Sequence, residues 1–275
     1  MMVSSPSAEL GVGAVDAPAR GARGRGQRAD AIAGVVVIVA IVAAIQIASF
    51  FVPAYIMPAP LVILRALWNE LTHDTGDVVA TLLRLFAAVL ASLVVGSALG
   101  VVMLGATWLR PYIRVLLVVV TGVPALSWML IAVFWFRNTE ERIFFILFLI
   151  ILPFYAINVY DGLQALPKEL LEMVESFRPR PLQTFRYLLF PHLIPYVILT
   201  TKSAIGYAIR MVVFAELIGA AVGIGAKMAV AESAFEMDDI LAWTVLLVAF
   251  NLILQALIGA IERRLLHWRG EVAVR

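Results

Sequence analysis

Hydrophobic positions in this chain come in long blocks, not in the one-face or alternating patterns of a water-soluble core. Runs with no charge, or very few, cover Ala31 to Val52, Val78 to Leu104, Val115 to Phe136, Ile143 to Tyr160, Leu193 to Val222 and Ile240 to Ile261. Each approaches or exceeds the ~20 residues that cross a hydrocarbon layer about 30 Å thick at 1.5 Å per residue. A helix satisfies its backbone polar groups within its own segment, as lipid demands. The pattern predicts an all-α integral membrane bundle of about six transmembrane helices. After the first span, Pro53, Pro58 and Pro60 break the helix. Leu61, Leu64, Leu67, Trp68 and Leu71 then recur at helical spacing, which predicts a short interfacial helix.

Between the fourth and fifth spans the pattern changes. Pro167 suits the first turn of a helix, and Leu170, Met173, Val174 and Phe177 follow at i, i+3, i+4 and i+7, with Glu169, Glu172 and Glu175 on the other side. Pro179 pushes Arg178 toward extended conformations, so this helix should stop near Phe177, and Arg178-Pro-Arg-Pro181 reads as a stiff, basic bend. A second helix should run from Leu182 to Phe190, with Pro191 and Pro195 marking its passage into the fifth span. An apolar stripe edged by mixed charge suits either the groove of a partner protein or lipid headgroups, and three acids argue against anionic lipid as the main partner.

Composition agrees with a lipid solvent. Of 275 residues 63% are hydrophobic and 15% charged, too little polar surface for a soluble globule of this size, and the mean hydropathy is +0.97. With no cysteine, thiol chemistry and thiolate-bound metals are excluded. His73, His192 and His267 are scattered with no second histidine at helical spacing, so no metal site is expected. Gly223, Gly225 and Lys227 lack the spacing of a phosphate-cradling loop, so no nucleotide site of that kind is expected in this chain.

Charge distribution predicts orientation. The N-terminal tail, the loop at Arg110 and Arg114, the segment 161–190 and the C-terminus carry 14 Lys and Arg, against four in the opposite loops. Both termini and the 161–190 segment are therefore expected in the cytoplasm. Residues 1–30 read as a disordered tail, 31–265 as the membrane domain with a hairpin at 161–191, and 266–275 as a second tail.

Ionisable groups inside spans are costly and mark pathways or buried partners. On the fifth span Lys202, Arg210 and Glu216 share a sector of roughly 120° with Ser203 and Gly206, which suits a polar cavity for an anion. Alternatively Lys202 reaches the cytoplasm, and Arg210 and Glu216 satisfy each other or neighbouring helices. Arg84 is expected to snorkel outward. Ser127, Met129 and Asn158 join the candidate pathway residues, and Asn158 with Asp161 stands where it would brace the hairpin. Ser92, Gly96 and Gly100 recur every four residues, as at a close helix contact.

The stretch EMVESFRPRPLQTFRYLLFP resembles the cytoplasmic signature of bacterial ABC importer permeases: E-A-A, three residues, G, about nine residues, then I-x-L-P, with Glu172 and Pro191 at matching positions. Flanking NVYDGLQALPKELLE, PHLIPYV and AELIGA are similar to the nitrate, sulfonate, taurine and bicarbonate branch, and weaker similarity extends over about residues 50 to 262. Met173 and Val174 replace the two alanines. Arg178 replaces the glycine, so a proline-enforced turn is expected in place of a left-handed one. The resemblance implies the MetI-like permease fold of type I ABC importers in the bacterial inner membrane. It also implies an ATP-binding partner subunit that holds ATP and Mg while this chain holds no cofactor, a second permease copy or paralogue, an extracytoplasmic substrate-binding protein, and no nucleic acid. On the same basis Lys168, Glu169, Glu172, Met173, Glu175, Phe177, Arg178, Arg180, Gln183 and Arg186 would meet the ATPase. An ion-gradient-driven transporter and a non-transporting scaffold are the alternatives.

Overall fold

The computed structural model describes residues 20–265, apart from the side chains of residues 20–31, Glu175 and Pro181. The chain divides into two units at Pro60. The first is built on α1 (Arg20–Phe51), whose segment Ile32–Phe51 is apolar enough to cross a membrane. The helix starts eleven residues ahead of the expected span. Backbone of Arg20 to Asp30, read as tail, is helical because extending an existing helix is far easier than nucleating one. Residues 1–19 and the expected tail 266–275 lie outside the described residues.

The second unit holds α2 (Pro60–His73), α3 (Thr75–Gly105), α4 (Arg110–Gly122), α5 (Ala125–Trp135), α6 (Thr139–Gln164), α7 (Lys168–Ser176), α8 (Pro181–Thr184), a π turn (Phe185–Leu189), α9 (Phe190–Gly219), α10 (Ile224–Ala234) and α11 (Met237–Leu265). Among the described residues five helices are long and apolar enough to span, or six if α4 and α5 together count as one. That pair is bent by 96°. The third span was expected as one helix, but Val123 is held extended by the proline after it, and Pro124 itself has no N–H to continue the ladder.

Its core is the contact of α3 with α6 and of α6 with α9. Ser92, Gly96 and Gly100 face α6 as the small-residue spacing predicts: a Cβ on Gly96 would lie 2.7 Å from Tyr155 Cβ, and one on Gly100 would lie 2.8 Å from the Ala156 carbonyl. Ser92 Oγ donates to the Phe148 carbonyl at 3.3 Å. Leu85, Ala88, Ile146, Leu147, Ile151, Tyr155, Ala208 and Val212 fill the space between these helices.

The fifth span is longer than expected. From Leu182 to Gly219 the chain stays helical past Pro191 and Pro195. A proline ring collides with the carbonyl four residues back, which for Pro191 is Tyr187. The π turn widens the helix there, with Phe190 N–H reaching back to the Phe185 carbonyl, so the helix continues past the proline instead of ending.

Candidate functional site

Three polar places stand out from an otherwise apolar bundle. The first is the hairpin. α7 ends at Ser176, as its sequence predicts, and Ser176 Oγ donates to the Met173 carbonyl at 2.7 Å. Phe177 N–H bonds to the Val174 carbonyl at 3.1 Å. The next residue, Arg178, then takes φ +49°, the left-handed conformation that a helix end commonly requires just past its cap. This corrects the expectation of an extended Arg178 and a proline-made bend: the arginine adopts the glycine's own conformation, and Pro179 only prevents the helix from resuming. Arg180 N–H is capped by Gln183 Oε1 at 2.8 Å, which starts α8. Gln183 is thus tied to the hairpin itself.

Lys168, Glu169, Glu172, Met173, Phe177, Arg178, Arg180, Gln183 and Arg186 are all exposed, and the Glu175 side chain lies outside the described ones. Large apolar groups sit among them: Phe177 is 80% exposed, and Leu182 and Tyr187 are nearly as open. The base of the hairpin, by contrast, is fastened. His192 Nε2 bonds the Gly162 carbonyl at 2.9 Å, Tyr196 packs where Gly162 has no side chain, and Leu189 meets Val159, Leu163 and Leu193. Asn158 is exposed and turns back to the Phe154 carbonyl at 2.7 Å.

The second place is a cavity of about 720 Å³ between α9 and α11. Lys202, Ser203, Gly206 and Arg210 line one side, as the helical sector predicts, and Thr244, Asn251 and Gln255 line the other. Lys202 Nζ pairs with Glu262 at 3.2 Å. Arg210 Nε donates to the Gly206 carbonyl at 3.1 Å and its guanidinium lies 5.7 Å from the Tyr207 ring centre. Gln255 Nε2 donates to Asn251 Oδ1 at 3.1 Å, and Gly206 leaves room for that amide pair: a Cβ there would sit 3.4 Å from Asn251 Oδ1. Sequence reading missed the α11 contribution. The signal was present in the four-residue spacing of Asn251 and Gln255 within an apolar span.

Ser127 is half-buried on α5, while Met129 is fully packed in the core; neither lines this cavity. Nor does Glu216. It lies about 120° round α9 from Arg210, which turns it toward α3 and into the third place.

That place is a buried network at the far end of α9. Glu216 is 0% exposed. Its carboxylate accepts from Thr81 Oγ1 at 2.9 Å, Arg84 Nη1 at 2.7 Å and Gly225 N–H at 2.9 Å. Arg84 does not snorkel, as had been expected: its guanidinium also reaches the Val222 carbonyl and forms a two-pronged pair with Glu140. Thr81 Oγ1 accepts from Ile224 N–H at 2.9 Å, and Asp77 accepts from Gly223 N–H at 2.6 Å. Gly223 has φ +125°, and any Cβ on it would meet the Glu216 carboxylate at 2.5 Å. Side chains of α3 and α9 thus cap the N-terminus of α10, a role that a donor-rich helix start invites. Lys227 adds an ion pair to Asp74 at 2.6 Å, with Asp77 at 3.7 Å.

Residues 88–267 match the family described as the binding-protein-dependent transport system inner membrane component. The chain belongs to that family. It is therefore a permease, the membrane-embedded transport subunit of an ATP-driven ABC importer, and in such importers a partner subunit hydrolyses the ATP. The permease is 25% identical over 206 residues to the taurine transport system permease protein TauC of Escherichia coli (strain K12), covering 75% of this chain and 72% of that protein. It is 26% identical over 188 residues to the nitrate import permease protein NrtB of Leptolyngbya laminosa, covering 68% and 67%. Its fold matches a chain of an inward-facing MetNI methionine ABC transporter with a TM-score of 0.62 at 18% identity, covering 70% of this chain and 95% of that one. The ion-gradient alternative is thereby set aside.

Proposed function

We propose that this permease pairs with a second permease subunit, identical or paralogous, around a pathway bordered by the α9–α11 cavity, and that the hairpin α7–α8 docks into an ATPase on the cytoplasmic side. A substrate-binding protein would deliver solute at the opposite face, and ATP binding would move the hairpin and expose the cavity to each side in turn. Lys202 and Arg210 suit a small anionic solute, in keeping with the taurine and nitrate named for two relatives.

The observation that carries this reading is continuity. One helical rod, Leu182–Gly219, begins in the exposed hairpin and bears the cavity cations, so a push on the hairpin has a stiff route to the cavity. The exposed Met173 and Phe177 are the apolar anchors such a joint uses.

The test is uptake and ATP hydrolysis measured side by side in liposomes holding the complete complex. Glu172→Ala and Arg178→Glu should lower uptake by roughly tenfold, the effect of losing about 1.4 kcal/mol of contact, while ATP hydrolysis continues. Unchanged uptake in both refutes the joint. In the same assay Arg210→Ala should lower uptake without lowering the amount of assembled complex, and equal loss of both would show a structural role.

A further inference from the structure

A second cavity, of about 870 Å³, lies between α3 and the hairpin end of α9 and exceeds the α9–α11 cavity in size. Its walls run from Leu93 to Val102 on α3 and from Phe185 through the π turn to Ile198 on α9, and Leu265 at the end of α11 joins them. Every lining side chain except Ser97 is hydrocarbon. Ala98, midway along the α3 wall, is exposed. The rings of Phe185 and Phe190 stand with centres 6.4 Å apart and line the cavity without filling it.

The cavity's chemistry and depth limit what can occupy it. Left empty, its walls forfeit dispersion contacts, and one hydroxyl is too few partners for ordered water. From Leu93 to Val102 the α3 wall is about 14 Å long at 1.5 Å per residue, close to one leaflet of a hydrocarbon layer ~30 Å thick. That wall stands at the level of the hairpin base, where Val101 and Leu104 pack with Leu163, Leu189 and Leu193. An acyl chain has both the length and the chemistry to fill it.

The rim is cationic. Arg186 follows Phe185 on the π turn, and Arg263 stands two residues before Leu265 in the last turn of α11. Both are exposed, and among the described residues no carboxylate pairs with either. Glu262, next to Arg263 in sequence, is paired with Lys202. Tyr187 is 73% exposed, with its ring centre 5.9 Å from the Arg186 guanidinium, and amphipathic rings of that kind settle at headgroup level. An apolar slot one leaflet deep, with arginines and a tyrosine beside its hairpin end, complements both parts of an anionic lipid.

We infer that this cavity binds an anionic phospholipid of the hairpin-side leaflet, with an acyl chain between α3 and α9 and the headgroup held at Arg263, with Arg186 beside it. The inference goes beyond the proposed function and does not depend on it.

The experiment places the complete transporter in phosphatidylcholine nanodiscs, with Phe190→Trp as a reporter in the cavity wall and its fluorescence taken as the excess over wild type. Brominated phosphatidylglycerol and brominated phosphatidylcholine are titrated separately. The anionic lipid should reach half-quenching at a roughly fivefold lower mole fraction, the enrichment that one arginine near the headgroups supplies. Adding Arg263→Gln should bring the two lipids together, and Ala98→Phe should weaken quenching by both. A readout free of the reporter comes from native mass spectrometry of the complex released from mixed discs. Wild type should retain phosphatidylglycerol and Arg263→Gln should lose it, while the two melt together in phosphatidylcholine alone. Equal quenching by the two lipids, with no phosphatidylglycerol retained, overturns the inference and leaves an unselective membrane face. Quenching by neither overturns it as well, because a protein surface then fills the cavity. A preference that survives both Arg263→Gln and Ala98→Phe overturns it too, since the lipid then binds elsewhere.

Discussion

The two ends of α9 are built on opposite principles. At its C-terminal end, Glu216 is sealed from solvent, and four elements share one set of hydrogen bonds through Arg84, Thr81, Glu140 and the N-terminus of α10. At its N-terminal end, the hairpin leaves its aromatic and aliphatic groups in the open and bends through an arginine in a glycine's conformation. About 45 Å of helix separates them, from 30 residues at 1.5 Å each. One end has every strong partner it needs within the chain, while the other leaves apolar surface and a left-handed arginine uncovered. A helix anchored at one end and unfinished at the other can carry a displacement, because the fixed end supplies the reference against which the other moves.

The largest effect should come from breaking the sealed end. Arg84→Ala leaves the Glu216 carboxylate buried with its cation gone, a change that costs about 3–5 kcal/mol where both partners are enclosed. The solubilised permease should lose most of its yield of folded protein and melt far below wild type in size-exclusion thermal scans. Glu216→Gln added to Arg84→Met should recover much of the loss, because a neutral amide still accepts from Gly225 while no lone charge remains buried. If the single variant is as stable as wild type, the network does not hold this end.

The sealed end is also where sequence reading was least informative. The hairpin was legible because its signals are local: a proline at each border, an i, i+3, i+4, i+7 stripe, and an end at Phe177. The α3–α6 contact was legible for the same reason, in the four-residue recurrence of Ser92, Gly96 and Gly100. Arg84 and Glu216 are 132 residues apart, and nothing in either neighbourhood says which buried charge belongs to which. Angular placement put Glu216 at the edge of the cation sector, and edge positions on a helix are decided by which neighbour arrives there. Local rules also misjudged Arg178. Proline and β-carbon sterics both favour an extended residue, but the chain must reverse just past a helix end, and that demand prevailed.

A smaller effect distinguishes strain that is merely tolerated from strain that is absent. Arg178→Gly should stabilise the bend by about 1 kcal/mol, the lower end of the cost of a left-handed non-glycine residue. Hydrogen exchange of the α7 amides should slow by about fivefold, with the rest of the bundle unchanged. Exchange as fast as wild type would mean that the turn imposes no cost, and the contrast between the two ends would then rest on exposure alone.

The smallest effect concerns protons beside α10. Burial first, and then the bond and charge of Asp74 with the charge of Asp239, hold the Glu70 carboxyl at about 7 against its ordinary 4.5. One of its oxygens, Oε2, is buried without a partner. The folded state therefore binds this proton more tightly than the unfolded chain, so the contribution of Glu70 is whole below pH 4.5 and is lost as pH rises through 7. Asp74 runs the other way. Its bond from Lys227 lowers it below the ordinary 3.8, and its contribution is lost only as pH falls past that value. Lys227 is raised above 10.5 by the same bond, and its contribution is lost only as pH rises past that value. Between pH 4.5 and 7, then, only Glu70 titrates among these three, and the thermal midpoint should drift down by the order of 1–2 °C, given that the group is partly screened by solvent. Glu70→Gln should flatten that drift, whereas Asp74→Asn should lower the midpoint across the whole window and weaken the drift only in part, because burial and Asp239 still raise Glu70. Parallel profiles for wild type and Glu70→Gln would show that the proton sits elsewhere.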